Sequence, residues 1–84
     1  MIDVLVPDLG TGPDELITVS CWLVEPGDEV VEGDRLVELL IGEITFDVAS
    51  PTSGKLQSIV AEVDETVVVG SILGTIVPDG PSSN

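Results

Sequence analysis

The chain has 84 residues, with 16 Asp and Glu set against two cations, Arg35 and Lys55, no histidine, and a net charge of −14. A field of that sign excludes nucleic acid and anionic membrane surfaces as partners, and favours solubility, a basic protein partner or a high-salt environment that screens self-repulsion. With Cys21 as the only cysteine there is no internal disulfide and no cysteine-based metal cluster, and without histidine general acid–base catalysis lacks its commonest agent.

This length makes one domain, burying roughly 60–65% of the surface its unfolded chain exposes. Trp22 and Phe46 are the only aromatic residues, so the expected core is aliphatic and β-branched, a composition that suits strands. No apolar run reaches membrane-spanning length, and the first residues lack the basic start and apolar centre of a secretory signal. A soluble, cytoplasmic protein, monomeric as an isolated domain, is the expectation.

In chain order the apolar runs are Ile2–Val6, Ile17–Val24, Arg35–Leu39, Ile44–Val48, Lys55–Val60 and Ile72–Val77. Turn residues separate them, and no window between breakers sustains an i, i+3, i+4, i+7 apolar series, so the reading is all-β. Between the first two runs lies Thr11–Ile17 (TGPDELI). After Val77, the stretch 79–84 reads as a linker or ragged end, leaving 1–78 as the folded domain.

The chain also repeats itself. Trp22–Leu39 (WLVEPGDEVVEGDRLVEL) matches Ile59–Ile76 (IVAEVDETVVVGSILGTI) at a shift of 37, with Val30 on Val67, Gly33 on Gly70 and Leu36 on Leu73. Gly33 and Gly70 are expected at positive φ, where a side chain would be strained. Pro7 and Gly10 match Pro51 and Gly54 at a shift of 44, so the first half carries seven extra residues around Thr11–Ile17. Two such halves fit facing sheets related by a pseudo-twofold axis. The turn after Leu39 then corresponds to the chain end of the second half, which places it at the end of the molecule opposite both termini.

Most polar clusters have simple explanations. Asp28-Glu29 and Asp64-Glu65 fall in matching exposed turns, where nothing encloses a reaction. Asp28, Glu29, Glu32 and Asp34 in GDEVVEGD offer oxygen ligands for calcium, but the intervening valines fit structural turns better. Cys21 and Trp22 are strand neighbours and should face opposite sides, with Trp22 inward. Cys21 has no nearby cation to favour its thiolate and is expected to be inert.

VPDLG near the start, WLVEPGDEVVEGDRLVEL, VASPTSGKLQSI and VGSILGTI together closely resemble a lipoyl domain of 2-oxo acid dehydrogenase complexes. The resemblance covers residues 2–78, and biotinyl domains share the architecture. It implies a barrel-sandwich hybrid, a flattened barrel of two four-stranded antiparallel sheets, and a non-catalytic module of an acyltransferase component. In that family a turn resembling Glu-Thr-Asp-Lys carries lipoate on its lysine, eight residues before the Pro of a Ser-Pro pair. Counting back eight from Pro51 reaches Glu43, preceded by Leu40, Ile41 and Gly42. The biotinyl pattern Met-Lys-Met fails at the same place. Lys55, twelve residues downstream of Glu43 at a strand start, is a poor substitute. No cofactor is therefore expected: no catalytic residue, no metal ligand and no attached lipoate. The resemblance makes the inserted loop, Thr11, Gly12, Pro13, Asp14 and Glu15, together with Gly42 and Glu43, the expected contact surface for a 2-oxo acid decarboxylase. A stand-alone acidic scaffold that meets another basic surface is the alternative.

Overall fold

The computed structural model describes residues 1–12 and 15–79, and every regular element among them is a strand. In chain order these are β1 (Ile2–Leu5), β2 (Ile17–Trp22), β3 (Glu29–Val30), β4 (Arg35–Ile41), β5 (Ile44–Ala49), β6 (Gly54–Ile59), β7 (Thr66–Val67) and β8 (Ile72–Pro78). They form two four-stranded antiparallel sheets, one ordered β1-β8-β6-β3 and the other β5-β4-β2-β7. Exchanging each strand for its repeat partner converts one order into the other, which is the expected pseudo-twofold relation.

The correspondence extends to single bonds. On β2 and β4 the register steps past Ser20 between Val19↔Leu39 and Cys21↔Glu38, and on β6 and β8 it steps past Gln57 between Leu56↔Ile76 and Ser58↔Thr75. Two further steps, past Leu36 against β5 and past Leu73 against β1, also match. Each is a β-bulge, an extra residue that bends its strand and resets which side the next residue faces. Because of them Val19 and Trp22, three apart, both pack on the core, and Leu36 and Val37 are both buried although adjacent. Strict alternation would forbid both placements.

The core between the sheets is built from Val, Leu and Ile, with Ala61 the one smaller member. Its residues occur largely as repeat pairs: Val4 with Val48, Val19 with Leu56, Val30 with Val67, Leu36 with Leu73, and Leu39 with Ile76. Each such side chain contributes about 1.5–3 kcal/mol on full burial. The turns are paired as well. Asp28 Oδ2 accepts the Glu25 N–H at 2.9 Å where Glu65 Oε1 accepts the Glu62 N–H at 2.7 Å. Asp34 Oδ2 accepts from Val31 at 2.9 Å where Ser71 Oγ accepts from Val68 at 3.1 Å. Gly33 and Gly70 sit at φ 94° and 89°, as the repeat requires.

The six apolar runs are all strands, differing from their expected limits by one or two residues. β4 reaches Ile41 rather than stopping at Leu39, because Ile41 pairs with Ile44 to close the hairpin. Val6 N–H donates to Ser71 O and Gly70 N–H to Val6 O, both at 2.9 Å, so the segment after β1 lies against the start of β8. At the other end of β8, Ile76 pairs with Ile2, Pro78 pairs with Gly54, and Asp79 N–H still donates to Ser53 O at 3.0 Å. The rest of the expected tail, 80–84, and Pro13 and Asp14 of the inserted loop lie outside the described residues.

Candidate functional site

β4 and β5 are joined by a two-residue turn, Gly42-Glu43, with Gly42 at φ 62°. Glycine at the first central position is the pattern of a type II′ hairpin turn, whose twist matches that of the flanking strands. Glu43 is exposed. The turn offers no amine, since Gly42 has no side chain and Glu43 ends in a carboxylate. Lys55, the only lysine, stands exposed on β6 opposite Glu29 and Val77.

The segment following β1 comes up beside this turn. Asp8 Oδ1 accepts the Gly10 N–H at 3.0 Å, and Gly10 takes φ 72°. Glu15 closes the described part of the inserted loop on Gly12: its Oε1 accepts the Gly12 N–H at 2.8 Å, and its own N–H donates to Gly12 O at 3.1 Å. Thr11 and Glu15 then form one wall of an open groove of about 540 Å³ whose other wall is Ile41, Ile44 and Phe46, with Pro7, Asp8, Leu9 and Gly10 lining the rest. Thr11, Gly12 and Glu15 also line a smaller depression with Ile17 and Val67–Val69. Thr11 and Glu15 thus line both hollows, and Ile41 and Ile44, which flank the Gly42-Glu43 turn, line the first.

Ile44 and Phe46 are the residues that sequence reasoning missed. They lie on the face of β5 shared with buried Val48, yet they are 71% and 41% exposed because β1 does not extend far enough to cover them. The alternation Ile44-Thr45-Phe46 marks an inward face, but nothing local tells how far the opposite sheet reaches.

The other polar clusters are accounted for within the fold. Asp28 and Asp34 hold turn N–H groups, and no three His, Cys, Asp or Glu converge among the described residues. Cys21 is half-buried. Trp22 packs on the core and donates its Nε1–H to Ala61 O at 2.8 Å. No helix among the described residues is long and apolar enough to cross a membrane.

A family model described as "Biotin-requiring enzyme" (biotin/lipoyl) matches residues 2–76. The chain belongs to this family. Within it, the chain is 37% identical over 76 residues to the dihydrolipoyllysine-residue succinyltransferase component of the 2-oxoglutarate dehydrogenase complex of Bacillus subtilis, covering 90% of this chain and 18% of that protein. It is 41% identical over 73 residues to the dihydrolipoyllysine-residue acetyltransferase component of the pyruvate dehydrogenase complex of Mycobacterium bovis, covering 87% of this chain and 13% of that one. The chain thus spans less than a fifth of the length of either relative. Among solved structures, the lipoyl domain of the 2-oxoglutarate dehydrogenase complex from Azotobacter vinelandii superposes with a TM-score of 0.74 at 25% identity, over 95% of this chain and all of that one. The fold and the lipoyl-domain resemblance of the family member are established together by these matches.

Proposed function

We propose that residues 1–78 form a lipoyl-domain-like module of an acyltransferase component of a 2-oxo acid dehydrogenase complex that carries no lipoate, with 79–84 as a linker or ragged end. The observation that carries this reading is the Gly42-Glu43 turn. It is built like an attachment hairpin, ends in a carboxylate, and has the chain's one lysine away on β6. Glu43 stands where the family's attachment lysine would be. The module is not catalytic by itself. Its part is docking: Thr11, Gly12, Pro13, Asp14 and Glu15 with Gly42 and Glu43 present a surface to a 2-oxo acid decarboxylase.

Incubated with lipoate, ATP and a lipoate–protein ligase, the purified domain is expected to keep its mass, whereas Glu43→Lys gains a lipoyl group. A lipoyl adduct on the unaltered domain overturns the reading. The net charge of −14 supports a second reading, a stand-alone scaffold that meets a basic protein through its whole acidic surface. Capture of a purified 2-oxo acid decarboxylase that is lost on replacing Thr11 and Glu15 separates the first reading from the second.

A further inference from the structure

A second feature of the molecule lies along its open side. β1 and β5 are the edge strands of the two sheets on that side, and no Cα of one comes within 8 Å of a Cα of the other. Neither has a further strand neighbour among the described residues. An edge strand turns every second residue's N–H and C=O away from its sheet, a ready template for another extended chain.

The gap is a groove of about 470 Å³ with Asp3, Val4 and Leu5 on one wall and Asp47, Val48 and Ala49 on the other. It meets the groove beside the hairpin turn, because Pro7 and Phe46 line both. Together they run the length of β5, taking in every residue of that strand except Thr45. The floor is apolar and the rim is of one sign. Asp3, Asp8, Glu15 and Asp47 line the combined groove, and no cationic side chain among the described residues does. Arg35 reaches Asp47 only from the neighbouring strand β4, at 3.2 Å, and is itself largely exposed.

We infer that the β5 edge takes up an extended segment of a partner protein, alternating basic and apolar residues, as an additional strand beside β5. Such a strand sends alternate side chains to opposite faces. One set covers Ile44 and Phe46, which the opposite sheet leaves bare, and the other meets Asp47 and its neighbouring carboxylates. Strand addition of this kind draws affinity from main-chain hydrogen bonds and specificity from alternate side-chain positions. The charge selects the occupant. A second copy of this chain brings its own net charge of −14 and is repelled, while a basic strand is attracted. The inference does not depend on whether a cofactor is attached at Gly42-Glu43.

The probe is a labelled peptide of about eight residues alternating lysine and valine, long enough to span the six-residue β5. A peptide of equal charge with proline at every second valine serves as control, because proline has no N–H to donate. The expected result is binding to the intact domain at least about tenfold tighter than the control, about 1.4 kcal/mol. Amide exchange should slow at Thr45 and Asp47, whose pairing with Leu40 and Glu38 alternates with the bonded pair Ile41↔Ile44. Phe46→Asp and the milder Asp3→Asn/Asp47→Asn should each weaken binding, with folding checked by the unchanged exchange of the β2 and β6 amides. Equal binding of the proline control, which marks simple charge attraction, overturns the inference. So does protection confined to the β3 or β7 edges, or self-association of the domain at low salt through β5.

Discussion

At the end of the molecule where β8 finishes, the Glu32 N–H donates to Ser53 Oγ at 3.0 Å. At the hairpin end the position of Glu32 is taken at the shift of 37 by Val69, which is exposed, as are Val68 beside it and Leu16 at the close of the inserted loop. The interior ladders of the two halves agree residue for residue, bulges included, whereas the two ends differ in kind. One end is tied with a polar contact, and the other presents apolar side chains around an inserted loop. The two halves share what each needs in order to pack and differ where packing makes no demand.

The interior equivalence is tested first, where the effects are largest. Leu36→Ala and Leu73→Ala remove repeat-related side chains with no solvent exposure, and each should cost about 2–5 kcal/mol in urea unfolding. If the halves are energetically alike, the two costs agree to within about 1 kcal/mol, since the spread at one chemistry reflects how each site collapses.

A smaller effect probes the place where the interior equivalence is broken. Trp22 and Gly74 occupy positions that the repeat fills with Ile59 and Val37. A Cβ added at Gly74 would lie 2.7 Å from Ser58 O and 2.9 Å from Trp22 Cη2. Gly74→Ala is expected to cost about 1–3 kcal/mol through overpacking. In a Trp22→Ile background the indole part of that cost disappears, giving a coupling of about 0.5–3 kcal/mol in a double-mutant cycle. Strict additivity would mean that the large residue and the small one did not arise in compensation.

The turns give a weaker contrast. Gly27 at φ 98° is matched by Asp64 at φ 76°, the one non-glycine residue at positive φ among those described. Aspartate tolerates the left-handed region better than most residues but not freely. Gly27→Asp should therefore destabilise, and Asp64→Gly should stabilise or be neutral, each by no more than about 1 kcal/mol. The smallest change in stability is expected where the ends differ most. Leu16→Ser with Val69→Glu gives the hairpin end polar residues like those of the other end, and as a surface exchange it should change the unfolding free energy by less than about 0.5 kcal/mol. Its effect should fall instead on capture of a decarboxylase, and a full loss of fold would contradict the picture of an end freed from packing duty.

Much of the architecture was legible because its signals are local or repeated. Gly33 and Gly70 announce their turns, the repeat at a shift of 37 pairs the strands, and the inserted loop shows as a break in register. The bulges at Ser20, Leu36, Gln57 and Leu73 were not legible, because an extra residue in a strand leaves no mark in composition. Alternation alone puts Cys21 and Trp22 on opposite sides, while the inward position of Trp22 also depends on the bulge at Ser20. Of the candidate site, the turn could be located by the family's spacing from Ser50-Pro51 and the loop by the break in the repeat. The groove between them could not, since the exposure of Ile44 and Phe46 depends on where the opposite sheet ends.

The indole of Trp22 has a practical use. It projects from one sheet, reaches Gly74 in the other, and is held at its nitrogen by Ala61 O just beyond β6. It is also the chain's sole tryptophan, in a protein without tyrosine. Fluorescence excited in this protein thus comes from a single emitter spanning the gap between the layers. Its colour and quenching act as a built-in gauge of how tightly they are closed, readable while either end is occupied or altered and without attaching a dye.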